Sequence, residues 1–428
     1  MKSISIFVIA AAPLVTAAWA QPSRYTLTDL GIVGASPGQP FVLANNGLIA
    51  GAAAASGGRT HATLWYQGMA ADIGTPGFGA LNSVAFSVNQ RGQAVGEAES
   101  ATADNPTNED FCGFKAMGLP ANGAACVPFL WEYGIMIPLP LLGGSNGVAN
   151  FINNHGVVAG LAETAVADPG CPNPQVLQFR PVIWDREGVH ELPIASGDAD
   201  GVAYSVNDSG QVVGGSGACS TFNFGTLANL HPAHALLWDT GTMTDLGNLG
   251  GTGHFMGNLA LNINNKGQVV GQSDLPGDQA FHGFLWSAES GMKDIGTLPG
   301  DNLSVASNLN NEGVVVGGSL DADFNPRAFV WQNGVMSDLN SLIPAGSLLD
   351  LLVACGINQR GEITGLAADK SGNAHGYLLT PSDGAATSAG LPSSVFAAAD
   401  VQALNDDVRK LLHRLGVGRF GLLHPPRQ

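Results

Sequence analysis

Four histidines recur at one position of a repeated phrase, and histidine is a common zinc ligand. They are His61, His234, His282 and His375. If the repeats form neighbouring packed β units, equivalent positions lie about 10 Å apart. A zinc ion needs nitrogen ligands about 2.1 Å away, so the four histidines do not share one ion. The sequence therefore predicts a hydrogen bond at a strand end in each repeat.

Repeated and unrepeated carboxylates invite different interpretations. The repeated ones precede Gly-containing loops, where a carboxylate accepts backbone N–H bonds; they are Asp29, Asp72, Asp245, Asp294 and Asp338. An unrepeated set, Asp321, Asp323 and Asn325, resembles the opening of a calcium loop. Pro326 and Gln332 stand where such a loop has Gly and Glu, so calcium is only a weak alternative.

The five cysteines predict two disulfides and one free thiol. Cys112 and Cys126 would close a loop of about fifteen residues, and Cys171 and Cys219 would fasten two loops together. Cys355 lies in a predicted inner strand, with no histidine near it in sequence, and is expected to be a buried thiol. The sequence contains no Cys-x-x-Cys, which argues against zinc held by thiolates, and it indicates no cofactor.

The composition excludes several classes of function. Of 428 residues, 12% are charged and 59 are glycine, which is typical of a turn-rich β protein. The formal net charge is −17, so sequence-independent binding of nucleic acid is not expected.

The first twenty residues have the layout of a secretory signal peptide. Met1 and Lys2 give a positive start, Ile4–Val15 is apolar, and Ala18-Trp19-Ala20 forms a cleavage site. A retained membrane anchor is the alternative, but the apolar run is short for a bilayer. We therefore expect residues 1–20 to direct export to the periplasm or the extracellular space, where disulfides persist.

An Asn-x-x-Gly phrase recurs seven times and sets the architecture. Its copies start at Ala44 (a degenerate copy), Asn89, Asn153, Asn207, Asn264, Asn310 and Asn358. Each copy follows an apolar strand and is read as a hairpin turn in which Gly takes the left-handed conformation. A phrase ending in Trp and a Met-x-Asp-Leu phrase follow most copies, which gives four strands per unit. Six tryptophans are predicted to pack between neighbouring units: Trp65, Trp131, Trp184, Trp238, Trp286 and Trp331.

The ends of the array predict a closed ring. The seventh unit stops at Pro381 without its Met-x-Asp-Leu strand, and the missing strand stands before the first unit, at Leu27–Gly31. Closure protects every strand edge from mispairing. The predicted fold class is an all-β, seven-bladed β-propeller of four-stranded antiparallel blades, closed by the N-terminal strand, with a C-terminal helical tail.

These phrases resemble the HAF family of probable extracellular repeat proteins of bacteria, named after a His-Ala-Phe triplet. His61-Ala62 and His234-Ala235 match it, whereas Arg180, Arg327 and Val127 replace the His in other units. The resemblance spans about residues 25–381 and implies export and a propeller-like fold. It implies no activity and no catalytic residue.

The loops between the second and third strands carry most of the variation in length. Insertions fall at about 97–126, 161–179 and 215–230, in units two to four. Long loops on a rigid scaffold are where binding usually resides, and drift at a tolerant site is the alternative. Residues just before the inner strands of the same face are the ligand-binding candidates: Asn82, Ser83, Asn146, Asp198, Asp200, His254, Asn258, Asp301, Asn302 and Ser304.

The C-terminal segment differs from the repeats. Residues 382–394 are read as a linker of small residues, and 395–428 as an amphipathic helical tail with apolar residues at three–four spacing. The tail is basic, and either packs on the propeller or docks on a partner or on the cell envelope.

Two functions remain open at this point. The first is a secreted binding or scaffolding module that recognises a glycan, peptide or partner protein through the long loops. The second is an exported polysaccharide hydrolase or lyase, with Asp198 or Asp200 paired with Asp301. The sequence contains no nucleophile motif, so catalytic residues stay unknown and binding is favoured.

Overall fold

The structure is a computed structural model that describes residues 25–32, 42–67, 69–75, 82–103, 111–112, 124–171, 175–220, 222–223 and 229–382. These residues form antiparallel β-sheets and one 3-10 helix, Leu339–Leu342. No helix among them has the length and apolar character needed to cross a membrane.

The first four sheets follow the chain in order. Strand β1 is Tyr25–Ile32. Blade one contains β2 (Ile49–Ala55), β3 (Arg59–Tyr66) and β4 (Met69–Gly74), and its inner strand is reduced to a bridge between Leu43 and Ile49. Blade two contains β5 (Ser83–Val88), β6 (Ala94–Ala103), β7 (Ala124–Glu132) and β8 (Ile135–Pro138). Blade three contains β9 (Gly143–Ile152), β10 (Val158–Ala167), β11 (Leu177–Asp185) and β12 (Gly188–Glu191).

The remaining blades repeat the same order of strands. Blade four contains β13 (Asp200–Val206), β14 (Val212–Gly217), β17 (His234–Asp239) and β18 (Thr242–Asp245), with a small hairpin of β15 (Phe222–Asn223) and β16 (Asn229–Leu230) between its second and third strands. Blade five contains β19 (Leu259–Ile263), β20 (Val269–Asp274), β21 (Phe281–Ser287) and β22 (Gly291–Asp294). Blade six contains β23 (Leu303–Leu309), β24 (Val315–Leu320), β25 (Pro326–Gln332) and β26 (Val335–Asp338). Blade seven contains β27 (Leu349–Ile357), β28 (Ile363–Asp369) and β29 (Ala374–Pro381).

Strand β1 completes blade seven as its outermost strand. It pairs antiparallel with β29, so that Tyr25 lies opposite Pro381 and Leu27 lies opposite Leu379. The first and last parts of the array thus share one sheet, and successive inner strands contact one another around an axis. The predicted seven-bladed propeller and its closure by the N-terminal strand are confirmed.

The predicted fold class is wrong in its helical tail. The described residues contain no α-helix, and the fold is all-β over the part of the chain that the structure describes. The signal peptide (1–20), residues 383–394 of the predicted linker and the tail (395–428) lie outside the described residues. Three–four spacing of apolar residues shows only where an apolar stripe would lie if a helix formed. It supplies no packing partner, on which most helical stability depends.

Apolar layers between neighbouring blades hold the ring together. Between blades three and four, Ala159 of blade three belongs to one buried cluster with Ala203, Val206 and Trp238 of blade four. Equivalent clusters separate the other blades and contain the other five tryptophans of the repeat. The prediction that the tryptophans pack between blades is confirmed.

A bulge in the inner strands determines which side chains point to the axis and which pack against the neighbouring blade. In blade four the pairing passes from Ala203–Gly214 to Ser205–Val213 and leaves Tyr204 unpaired. The extra residue changes which side the following side chains face. Tyr204 therefore joins the cluster at the axis, while Ala203 and Val206 both join the layer between the blades.

The repeated asparagines form a ring of hydrogen bonds from blade to blade, here called the asparagine belt: Asn89, Asn153, Asn207, Asn264, Asn310 and Asn358. Each donates from Nδ2 to the main-chain carbonyl of the equivalent residue in the next blade, and Asn358 donates to the carbonyl of Ala44 in blade one. The glycine of each turn has φ between 73° and 88°, which confirms the predicted left-handed turn residue. The belt lies at the end of the ring opposite the long loops.

Candidate ligand-binding face

The loops between second and third strands lie at one end of the ring, together with the loops that enter each inner strand. This follows from the antiparallel order of strands in every blade, and we call this end the loop face. Blades five, six and seven have short turns here, at 275–280, 321–325 and 370–373. The longer insertions of blades two to four begin and end on the same face.

Both predicted disulfides are present in the loop face. Cys112 is bonded to Cys126 across the insertion of blade two, and Cys171 of blade three is bonded to Cys219 of blade four. In the chain-entropy treatment such closures stabilise a fold by about 3–4 kcal/mol each. Blades three and four are thereby joined covalently through their insertions.

An aromatic stack joins the insertion of blade two to blade three. The rings of Phe111 and Phe179 are 4.6 Å apart between centroids and nearly parallel, with 6° between their planes. Offset or parallel aromatic pairs add about 0.5–1.5 kcal/mol beyond their burial. The stack thus ties the insertion of blade two to strand β11 of blade three, while the Cys171–Cys219 disulfide joins the insertions of blades three and four.

Apolar side chains fill the axis beneath the loop face. One buried cluster contains inner-strand residues of blades two to seven, including Val84, Val148, Val202, Leu259 and Val305, and it includes Ala52 of blade one. Phe111, Cys112 and Cys126 belong to the same cluster. Phe111 and Cys112 of the blade-two insertion therefore cover this apolar core. Because the axis is filled, a ligand would bind on the outer surface of the loop face.

Six of the ten ligand-binding candidates are buried and bonded to the scaffold: Asn82, Ser83, Asn146, Asp200, Asn258 and Ser304. Ser83 and Ser304 show the pattern. Each hydroxyl accepts a backbone N–H from the third strand of the preceding blade and donates to a carbonyl in the loop before its own strand. Asn82, Asn146 and Asn258 likewise bond to the preceding blade. These side chains fix the loops that enter the inner strands.

Of the other four candidates, His254, Asn302 and Asp198 lie nearer the solvent, whereas the Asp301 side chain is covered. His254 and Asn302 are exposed, and Asp198 is half-buried and accepts a hydrogen bond of 2.5 Å from the Ser216 hydroxyl. Asp301 forms an ion pair of 2.7 Å with Arg327, and its side chain is only 3% exposed. Contact of these residues with a ligand stays a prediction.

The carboxylates proposed for acid–base work are engaged by protein donors. Asp200 accepts hydrogen bonds from the Phe179 N–H at 2.7 Å and from the Gln175 amide at 2.7 Å. Burial raises the pKa of Asp200 to about 7, against the lowering effect of these donors. Burial likewise raises the pKa of Asp274 to about 6, although the Phe255, Met256 and Gly257 N–H groups donate to it. Both carboxyls anchor loops of the loop face.

The repeated histidines and aspartates are partners of one another. His61 lies 2.9 Å from Asp72, His234 2.8 Å from Asp245, His282 2.8 Å from Asp294 and His375 3.0 Å from Asp29. Each of these aspartates also accepts the N–H of the glycine two residues later. The predicted strand-end hydrogen bond is confirmed. The predicted carboxylate–backbone bond is confirmed at these four positions and at Asp338, which accepts the Asn340 N–H at 2.9 Å. The pairing of the histidines with the aspartates was not foreseen.

The predicted calcium candidates cap a turn. Asp321 accepts the N–H groups of Asp323 and Asn325 at 2.9 Å each, and the Asn325 amide donates to its other oxygen. Two groups of possible metal ligands occur among the described residues, Glu97 with Cys112 and Cys126, and Asp200 with Cys171 and Cys219. In both groups the sulfur atoms are in disulfides and are not thiolates.

Cys355 is a buried free thiol, as predicted. Burial raises its pKa to about 12, so the thiol stays protonated at neutral pH. A protonated, buried thiol is a poor nucleophile. Cys355 therefore contributes to the axial cluster as a small apolar side chain.

Sequence reasoning missed two aromatic residues on the loop face, Phe255 and Phe324. Both are half-buried and pack against the axial cluster from blades five and six. Asp278 and Thr252 link the two loops of blade five beside Phe255 by a hydrogen bond of 2.7 Å between the Asp278 carboxylate and the Thr252 N–H. The sequence offered a signal for Phe324. It stands in a turn at the position that Gly372 occupies in the equivalent turn of blade seven.

Comparisons with known proteins give no family. No family model matches the chain, and no curated protein matches it in sequence. Among solved structures, hydrazine synthase of Kuenenia stuttgartiensis has a TM-score of 0.37 and 7% identity; the match covers 60% of this chain and 38% of that chain. A lectin of Aleuria aurantia in complex with Fucα1-6GlcNAc has a TM-score of 0.36 and 8% identity, covering 76% and 100%. The β-propeller domain of the Trilobed protease of Pyrococcus furiosus has a TM-score of 0.30 and 11% identity, covering 74% and 98%. These similarities are too weak to transfer a function.

Proposed function

We propose that this propeller is a secreted binding or scaffolding module, and that its ligand, a glycan, peptide or partner protein, docks on the loop face against the insertions of blades two to four. The observation that carries the proposal is the bracing of those insertions. One disulfide closes the insertion of blade two, an aromatic stack ties that insertion to strand β11 of blade three, and the second disulfide joins the insertions of blades three and four. A loop that is held rigid in advance loses less conformational entropy when a ligand binds.

The surface of the insertions supports the proposal. Val166, at the end of β10 in blade three, is 55% exposed although it is a β-branched apolar residue. Asp168 follows it and holds a turn by accepting the Gly170 N–H. An exposed apolar side chain beside polar turn residues is the mixture that binding surfaces use.

Export rests on the disulfides and on the sequence of residues 1–20. Disulfides form and persist in oxidising compartments outside the cytosol, and the chain has two of them. The charged start, apolar run and small-residue cleavage site give the layout of a signal peptide. Membership of the HAF family stays a prediction.

The test is a glycan and peptide array probed with the purified mature chain, followed by titration of any hit and analysis of its products. Val166→Asp is expected to weaken binding about tenfold, since it places a charge in the proposed contact surface. Arg186→Ala is the matched control, because Arg186 is exposed at the opposite end of the same blade. Equal affinity of the Val166→Asp variant and the unaltered chain, or turnover of the ligand, would contradict the proposal.

A further inference from the structure

Phe324 has a backbone conformation that phenylalanine rarely adopts. Its φ is 62°, in the left-handed region. The turn is well defined, since the Phe324 N–H donates to the Asp321 carbonyl at 3.0 Å and the Asp321 carboxylate accepts the Asn325 N–H. A side chain in this region costs about 1–2 kcal/mol relative to a right-handed conformation.

Blade seven shows how the same turn forms without this cost. There Asp369 accepts the Ser371 and Asn373 N–H groups, and the Gly372 N–H donates to the Asp369 carbonyl. Gly372 occupies the position of Phe324, with φ of 78°. The turn therefore needs no aromatic residue. Five other non-glycine residues of the described chain also have positive φ, so the strain alone does not mark a site, and the position of the Phe324 ring has to carry the argument.

The ring of Phe324 lies where the axial cluster reaches the surface of the loop face. It is half-buried against that cluster, as is Phe255 of blade five. Phe255 is itself held against Phe281, with ring centroids 6.0 Å apart. Two partly exposed rings from adjacent blades thus pack against the same apolar cluster on the loop face.

Polar groups flank these rings on blades five and six. His254 precedes Phe255 and is exposed, and Asn302 is exposed at the entry to blade six. The Arg327 guanidinium next to Asp301 also donates to the Pro299 carbonyl at 3.0 Å. Apolar rings with a few polar groups that fix orientation are typical of small-molecule sites.

We propose that Phe324 and Phe255 form an aromatic platform on which a neutral sugar ring stacks. A pyranose presents C–H groups on one face and hydroxyls at its edge, so it matches rings bordered by amide, imidazole and carboxylate groups. Carboxylates outnumber basic groups among the described loop-face residues, which disfavours an acidic sugar. This inference rests on the proposed function and names its ligand class.

The experiment titrates the mature chain with three neutral probes, chitotetraose, cellotetraose and mannotetraose, and with tetragalacturonate as the acidic probe. At least one neutral probe is expected to saturate and the acidic probe is not. Phe324→Gly is expected to weaken that binding about tenfold, while its unfolding temperature changes little because relief of the strain offsets the loss of packing against the cluster. Phe324→Tyr retains binding, and Ala322→Gly in the same turn is the control that changes nothing.

Each outcome supports or overturns the platform. Unchanged affinity of Phe324→Gly overturns it, as does binding of tetragalacturonate or of a peptide alone. If Phe324→Gly also lowers the unfolding temperature, binding by Phe324→Leu is measured instead, because leucine keeps the apolar packing without an aromatic face. Binding retained by Phe324→Leu then overturns the platform. Loss of binding in Val166→Asp with none in Phe324→Gly leaves the proposed function standing and removes this inference. Absence of any binding to arrays and probes removes both.

Discussion

A single asparagine in each turn makes contacts within its blade and between blades. The side-chain oxygen Oδ1 of Asn264 accepts the Lys266 and Gln268 N–H groups, which fixes the turn. Its amide donates to the Asn310 carbonyl of the next blade at 2.9 Å. The repeated Asn was expected to favour a turn, and that part followed from local sequence. The bond to the next blade did not, since it depends on how neighbouring blades approach each other.

Replacing this asparagine is expected to destabilise the fold more than replacing its neighbour. Asn264→Ala removes the acceptor of the part-buried Lys266 and Gln268 N–H groups and one of the donors to the Asn310 carbonyl, and each lost hydrogen bond costs about 0.5–1.5 kcal/mol. Asn265→Ala is the control, because Asn265 is exposed and its bonds to Asp208 compete with water. Urea unfolding of both variants measures the difference. Equal losses for the two would show that the belt adds nothing to stability.

The buried carboxyl of Asp200 gives stability a defined dependence on pH. Its folded pKa of about 7 lies above its ordinary value of about 4, so the folded state binds the proton more tightly. The contribution of this group is therefore fully present below about pH 4 and is lost as the pH rises through about 7.

Asp200→Asn is expected to remove this dependence. The amide resembles the protonated carboxyl and still accepts the Phe179 N–H. The free energy of unfolding of the variant, relative to the unaltered chain, should rise between pH 5 and pH 8, which urea unfolding at several pH values measures. A constant difference over this range would contradict the assigned pKa. Asp198→Asn, at a half-buried carboxyl, is the control and should show a smaller change.

At the scale of the strand, a glycine in each second strand sets how closely two strands approach. A Cβ at Gly214 would lie 1.9 Å from the Val202 carbonyl oxygen, which is main chain and cannot rotate away. Gly96, Gly271 and Gly317 meet the same obstacle at 1.9 Å in their own blades. The repeat of Gly was visible in the sequence. The reason for the glycine was not visible, because the bulge that brings the facing strand close has no clear sequence pattern.

Gly214→Ala is expected to cost about 1–3 kcal/mol or more, through displacement of the inner strand. Gly241→Ala in the outer hairpin of the same blade is the control, since nothing lies within 4 Å of its Cβ position. That control is itself expected to lose about 1 kcal/mol, because Gly241 has φ of 81°. The unfolding temperatures of the two variants are compared. Gly214→Ala reports the steric contact with the inner strand, and Gly241→Ala reports backbone strain alone. A smaller loss at Gly214 would contradict the steric explanation.

The strands and cysteine pairs were predictable because repetition located them. Seven copies of one phrase fixed the order of strands, and the insertions that carry Cys171 and Cys219 fell in adjacent blades. The positions of polar side chains within the loop face were harder to predict. Asn82 and Ser304 are polar and precede inner strands, as ligand-binding residues would, yet their partners are main-chain groups of the preceding blade. Such partners depend on loop conformation, which no repeat specifies.

At the scale of the whole molecule, the packing of the axis and the closure of the ring depend on different features of the sequence. Filling of the axis depends on the combined size of inner-strand side chains from all blades, which one repeat does not reveal. Closure depends on one missing strand and one surplus strand, which the order of phrases revealed. The ring is completed by Leu30 and Leu378 packing with Trp65 of blade one, and by the Asn358 bond to Ala44.

Removal of strand β1 is therefore expected to weaken the whole ring and not only its last blade. Tyr25 is 7% exposed and packs with blade seven, and Thr26 donates to the Thr380 carbonyl at 3.1 Å. A chain beginning at residue 33 exposes the edge of β29, which is then open to pairing with other chains. It should unfold at lower urea concentration and aggregate, whereas a chain beginning at residue 25 should match the mature protein. Coincident unfolding curves for the two truncated chains would show that the ring closes without β1.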